Sequence, residues 1–156
     1  VKMEANELRC GNYINIIEPQ DDYNDYVVVK GITDTIPDDL IDFHSPKANA
    51  SHYGHELELF EPIPLTEKWL LKFGFVEKNL GKKLPQNWYE LKYLSNEHEE
   101  LITSWVSILI NSNSLSCVIC DEHPDEMGAN TKRPIKYVHQ LQNLYFALTG
   151  EELTIK

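Results

Sequence analysis

Between Pro134 and Gly150, read as PIKYVHQLQNLYFALTG, apolar positions recur at helical spacing. At 100° per residue from Val138, Tyr137, Val138, Leu141, Leu144, Tyr145 and Leu148 fall on one face roughly 120° wide, which predicts an amphipathic helix packed on a core. Lys136, His139, Gln140, Gln142, Asn143 and Phe146 lie outside that stripe. Pro134 suits a first helical turn, where a missing N–H costs nothing. Gly150 suits the position just past the end, where a left-handed conformation is common.

Elsewhere the period shortens to two. Tyr13 to Ile17 and Tyr26 to Ile32 are β-branched runs that predict strands, with Gly31 as a bulge and a turn around Pro19 between them. Thr33 to His55 reads mostly as loop, because Pro37, Asp38, Asp39, Ser45, Pro46 and Gly54 punctuate it. Glu56 to Phe60 reads as a strand with Leu57 and Leu59 on one face. Thr66 is the expected N-cap of a short helix, Glu67 to Phe73, that ends at Gly74 and turns Trp69, Leu70 and Phe73 inward. Phe75 to Lys78, Trp88 to Leu94, Leu101 to Ile110 and Leu115 to Cys120 read as strands, the last two joined by a hairpin loop at Asn111 to Ser114. A helix from Ser95 competes with the start of the third, since Glu97, Glu99 and Glu100 suit a first turn. An acidic loop, Asp121 to Gly128, precedes the C-terminal segment. This order predicts an α+β fold: antiparallel β-sheet with one short central helix and one long C-terminal amphipathic helix. The expected domain covers residues 3–156, within which the strand region 3–60 can be set apart as a small subdomain.

Composition narrows the function classes. The chain has 156 residues, with 14 Lys and Arg against 25 Asp and Glu, a formal net charge of −11. Such a balance argues against nonspecific binding to nucleic acid or anionic membrane and leaves room for a basic protein partner, a cationic ligand or mimicry of a polyanion. No run approaches the roughly 18 apolar residues that would span a bilayer. No signal peptide opens the chain, and Val1-Lys2 ahead of Met3 reads as an expression scar. Three unevenly spaced cysteines make no disulfide framework, so a reducing, cytoplasmic setting is expected.

Three constellations carry candidate chemistry. Cys117, Cys120 and His123 have the spacing of half a zinc site, but cysteines three apart in a strand point to opposite faces, and buried small hydrophobes are the simpler reading. His44, His52 and His55 share the long loop with Asp38, Asp39 and Asp42, as a metal or acid–base site would, or as solvated loop residues. Lys132, Arg133 and Lys136 place cations at an expected helix N-terminus, against its dipole, which makes sense if an anion sits there. Neutralisation by Asp121, Glu122, Asp125 and Glu126 is the plainer account. Trp88 and Tyr93, with Tyr89 and Trp105, supply aromatic surface that serves either core or ligand stacking. No phosphate loop, nucleophile elbow or His-Glu-x-x-His pattern occurs.

Three stretches carry a resemblance: Ala5 to Arg9 with Gly11-Asn12-Tyr13, Ile63 to Phe75 (IPLTEKWLLKFGF), and Lys136 to Leu153 (KYVHQLQNLYFALTGEEL). Together they resemble small uncharacterised proteins encoded by phages and prophages of anaerobic gut bacteria. The resemblance implies an accessory phage protein acting in the host cytoplasm, and it transfers no catalytic motif. Cys10 stands where an aliphatic residue is usual in those proteins, which implies a core position. In that setting the expectation is a binding protein without catalysis, cofactor or metal. Its sharpest form is an anti-defence sponge for a nucleotide immune signal, with Lys132, Arg133 and Lys136 on phosphate and Trp88 and Tyr93 on the base. The alternative is an acidic protein–protein inhibitor or adaptor acting on a host protein. An enzyme acting on a small phosphorylated compound is the weakest of the three. Assembly into a homo-oligomer is open.

Overall fold

The computed structural model describes residues 3–17, 26–34, 39–78, 88–95, 104–120, 129–130 and 134–156. Within these, the side chains of 92–95, 104–107, 120, 129 and 130 are not described. The fold is α+β, with antiparallel sheets, one short helix and a C-terminal helix. The chain divides into two compact units, Val1–Pro64 with Tyr137–Glu152, and Leu65–Lys136 with Leu153–Lys156.

The first unit holds β1 (Tyr13–Ile16), β2 (Val27–Thr33), β3 (Leu40–Ser45), β4 (Ala50–Glu56) and β5 (Phe60–Glu61), in the order β4-β3-β2-β1-β5. Every pairing is antiparallel. Met3, Leu8, Ile14, Val27, Val29, Ile41, Phe43, Leu57 and Phe60 form its core. The expected bulge is present: the β2–β3 register shifts between Val29 and Gly31.

The loop expected over Thr33 to His55 is instead β3 and β4. Ile41, Phe43 and Ser45 alternate buried with half-buried positions, a period of two that the turn formers around them hide. Pro46 punctuates the β3–β4 turn, where Asn49 takes a positive φ of 50° and Ser45 Oγ accepts from the Ala48 N–H at 3.2 Å. Pairing with β2 supplies the context that local propensity lacks. The strand expected over Glu56 to Phe60 is broken by a 3-10 turn at Leu57–Leu59. Leu57 is therefore buried and Leu59 exposed, not on one face as expected.

The second unit holds α1 (Glu67–Lys72), β6 (Val76–Lys78), β7 (Trp88–Ser95), β8 (Ser104–Asn111), β9 (Cys117–Cys120) and β10 (Ala129–Asn130), with sheet order β10-β9-β8-β7-β6. Thr66 N-caps α1 with extended backbone, and its carbonyl accepts from the Trp69 and Leu70 N–H groups. Trp69, Leu70 and Phe73 are buried, as the spacing predicts. At six residues α1 is too short to persist alone, and side chains of this kind each contribute about 1.5–3 kcal/mol when fully buried. Ser95 ends β7; the rest of the helix competing from it, and the acidic loop, lie outside the described residues.

The C-terminal helix α2 spans Val138–Thr149 and belongs to the first unit. Gly150 ends it with φ +72, its N–H bonded to the Phe146 carbonyl at 2.8 Å, as expected. Pro134 lies in the segment before the helix, not in its first turn. The buried face also differs from the predicted stripe. Val138, His139, Leu141 and Gln142 are buried, whereas Leu148 is exposed. The helix turns a polar edge inward because Gln142 meets backbone groups there that need partners.

Candidate functional site

Polar side chains of α2 hold the N-terminal segment of the first unit. Gln142 Oε1 accepts from the Tyr13 N–H at 2.8 Å, and its Nε2 donates to the Gly11 carbonyl at 3.1 Å. Asn143 Nδ2 donates to the Glu7 carbonyl at 2.8 Å, while its Oδ1 accepts from Asn12 Nδ2 at 2.9 Å. Gly11 sits at φ +92, a left-handed conformation that favours glycine, with the Glu152 carboxylate close beside it. Arg9 meets that carboxylate through both terminal nitrogens, at 3.1 and 2.5 Å, and lies 3.6 Å over the Phe146 ring.

The residues just before that segment, Met3 to Asn6, form one wall of an open cleft of about 530 Å³. Met3, Ile32 and Leu57 supply its apolar lining, and Glu4, Asp34 and Asp39 contribute three carboxylates. Met3 and Leu57 are also core residues, so this lining is fixed by packing. The Asp39 carbonyl accepts from the Leu57 N–H at 3.0 Å, which joins two of the lining segments. Glu4 opens a 3-10 turn at Ala5–Glu7, and its N–H donates to Glu7 Oε2 at 3.2 Å. No Lys or Arg is among the described lining residues. An apolar lining with carboxylates suits a group that is both cationic and partly aliphatic.

His139 on α2 is 1% exposed, and neither ring nitrogen has a hydrogen-bond partner among the described residues. Its ring stacks on Tyr137 with centroids 5.8 Å apart and planes 7° from parallel. Burial pushes its pKa below the ordinary value, and the Glu7 carboxylate pulls the other way. Burial on the helix thus favours the neutral form of this imidazole.

Of the sequence-predicted binding residues, Trp88, Tyr93 and Lys136 are described, all in the second unit. Lys132 and Arg133 lie outside the described residues. Lys136 is exposed, its carbonyl accepting from the Leu65 N–H at 2.8 Å. Trp88 opens β7 half-buried, with a buried indole N–H that has no acceptor among the described residues. Tyr93 lies five positions further along β7, about 17 Å at the usual strand rise, and its side chain is not described. Trp88 and Lys136 do occupy the same end of the sheet. Trp88 pairs with Asn111, the Leu115 N–H donates to the Asn111 carbonyl, and the Ile135 N–H donates to the Leu115 carbonyl. Leu115 holds φ +55, a left-handed conformation that costs a leucine about 1–2 kcal/mol. Asn111 Oδ1 over-determines that turn by accepting from the Asn113 N–H, the Ser114 N–H and the Ser114 hydroxyl.

The histidines of the expected loop lie on strands. His52 stacks on Phe43 at 4.8 Å, His55 meets the same ring edge-on at 5.2 Å, and His44 Nδ1 pairs with Ser51 Oγ at 3.2 Å. Among the described residues no three His, Cys, Asp or Glu side chains group as a metal site would require. Cys117 is buried in β9, Cys120 ends that strand, and His123 lies outside the described residues. Cys10 is exposed rather than a core residue, with Sγ donating to the Lys30 carbonyl at 3.1 Å. Of the cleft carboxylates, sequence reasoning singled out only Asp39, as a neighbour of the histidines. Glu4 and Asp34 escaped it because three separate segments bring them together and no local pattern records that.

Comparison with protein-family models, with curated proteins and with solved structures finds no match. No helix among the described residues is long and apolar enough to cross a membrane.

Proposed function

We propose that the protein is a noncatalytic binding protein whose acidic cleft takes a lysine or arginine side chain from a basic segment of a protein partner. The observation that carries this reading is the cleft itself: Met3, Ile32 and Leu57 to pack an aliphatic stem, with Glu4, Asp34 and Asp39 to meet a cationic head. The net charge of −11 favours encounter with a basic partner. In the setting implied by the phage resemblance, the partner is a host protein and the role is that of an inhibitor or adaptor.

The test is a titration with hexalysine and hexaarginine, followed by methyl NMR at Met3, Ile32 and Leu57. Shifts at these methyls are expected, with binding weakened at least tenfold between 20 and 300 mM NaCl. The triple variant Glu4→Gln, Asp34→Asn, Asp39→Asn should lose the shifts. Equal binding by that variant would dismiss the cleft.

A second reading, sequestration of a nucleotide immune signal, draws support from Trp88, whose buried indole N–H has no partner among the described residues and lies at the same end of its sheet as Lys136. Native mass spectra with linear and cyclic nucleotides test it. Retention that survives Trp88→Phe together with Lys136→Ala would place any bound nucleotide elsewhere.

A further inference from the structure

Two irregularities fall at the same level of the first sheet. The β2–β3 register shifts between Val29 and Gly31, and the β3–β4 register shifts between Ile41, which faces His55, and Phe43, which faces His52. Asp42 on the middle strand is therefore flanked by Lys30 and Gly31 on one side and by Tyr53 and Gly54 on the other. Bulges of this kind re-aim side chains and recur beside binding sites. Ile41 and Phe43 are core residues, so strand alternation turns Asp42 to the opposite face. His52 stacks on Phe43 from the core side, which sends its neighbour Tyr53 to the face of Asp42, where Tyr53 is 74% exposed. Asp42 itself is half-buried. Its Oδ1 accepts from the Gly54 N–H at 2.8 Å, which fixes the carboxylate. Its Oδ2 turns towards Gly31, where a Cβ would lie 2.9 Å away. At Gly54, with φ +68, a Cβ would meet nothing within 4 Å. The carboxylate thus lies in a notch between two glycines, open on the side of the exposed tyrosine.

We propose that this notch takes an arginine side chain of a partner, its guanidinium paired with the Asp42 carboxylate and lying against the Tyr53 ring. The bond to Gly54 accounts for Oδ1 and leaves Oδ2 without a donor among the described residues. Lys30, exposed in the β2 bulge, makes no ion pair with Asp42. A guanidinium answers both groups at once. Its N–H edge donates to a carboxylate while its face stacks on an aromatic ring, and it is more weakly hydrated than an ammonium. The net charge of −11 favours approach of such a cation. None of Asp42, Tyr53 and Gly54 lines the acidic cleft, so this site stands whether or not that cleft binds.

Titration with N-acetyl-arginine methylamide at constant ionic strength, followed by amide and aromatic NMR, tests this. The Gly54 amide and the Tyr53 ring protons should shift saturably, with a Kd of about 1–20 mM for a single side chain. The lysine analogue should bind at least threefold more weakly. Asp42→Asn keeps an oxygen for the Gly54 N–H and should weaken binding at least fivefold with an unchanged circular dichroism spectrum. Tyr53→Leu should weaken it at least threefold. The triple cleft variant, Glu4→Gln, Asp34→Asn, Asp39→Asn, should keep these shifts, which separates the notch from the cleft. No saturable shift up to about 100 mM, equal binding by Asp42→Asn, or equal binding of the lysine analogue overturns the inference.

Discussion

Replacing Gln142 by Met tests how α2 is held to the first unit. The two side chains are similar in length and both unbranched, so the change removes hydrogen-bonding capacity without opening a large void. Gln142 is fully buried, and it satisfies two backbone groups at once, the Tyr13 N–H at 2.8 Å and the Gly11 carbonyl at 3.1 Å. A thioether replaces neither bond. Each buried backbone group left unpaired costs about 1–3 kcal/mol, and local relaxation or water entry recovers part of it, so the expected loss is about 2–4 kcal/mol. In a unit of this size that corresponds to a fall in Tm of about 10–20 °C. Urea denaturation followed by circular dichroism, with the midpoint shifted and the slope unchanged, is the measurement. A loss below about 0.5 kcal/mol would show that the two backbone groups find other partners, and that the polar edge of α2 does not hold the N-terminal segment.

Two further outcomes concern proton linkage. His139 has a folded-state pKa below its unfolded value, so its contribution is complete above about pH 6.5 and is lost as pH falls through the folded pKa. Urea midpoints should accordingly drop between pH 7 and pH 5, and His139→Phe, which keeps a ring against Tyr137, should flatten that drop; an unchanged slope would remove His139 from the account. Tyr89 has its pKa pushed up to about 12 by its hydrogen bond to Glu67, then by burial, then by the Glu67 and Glu77 charges. The stability linked to it is full below about pH 10 and is lost as pH rises towards 12. Absorbance titration at alkaline pH should find one tyrosine fewer ionising in that window, restored to the common transition in Glu67→Gln, and full ionisation of all tyrosines by pH 11 would contradict the bond.

The elements whose signal is local were legible in the sequence. The α1 helix announces itself through Thr66, the spacing of Trp69, Leu70 and Phe73, and the stop at Gly74. β2 does so through its valines and the bulge at Gly31. What the chain hid was long-range pairing. Leu40 to Ser45 forms a strand because β2 lies beside it, and its alternate residues are polar enough to pass for loop. The buried edge of α2 was hidden for a related reason. Helical periodicity counts apolar side chains, but Gln142 goes inward to meet backbone groups 129 and 131 residues away. The candidate cleft was less legible still, since Met3, Glu4, Ile32, Asp34, Asp39 and Leu57 carry no shared motif and are neighbours only in the fold.

The path of the chain between the units has a consequence for synthesis. Unit one is interrupted after Pro64 and resumes at Tyr137, and these two residues form a backbone bridge with each other. Residues 65–136 thus leave and rejoin the first unit at neighbouring points, and Leu153–Lys156, beyond the helix, complete the second unit. On the ribosome, β1 to β5 emerge more than 70 residues before the helix that completes them. During that interval the Tyr13 amide and the Gly11 carbonyl have no Gln142 to meet, and the first sheet waits unfinished while its guest is made. The same geometry permits surgery: removing 65–136 and 153–156, and joining Pro64 to Tyr137 through a two- or three-glycine turn, should leave a minidomain that retains its helix.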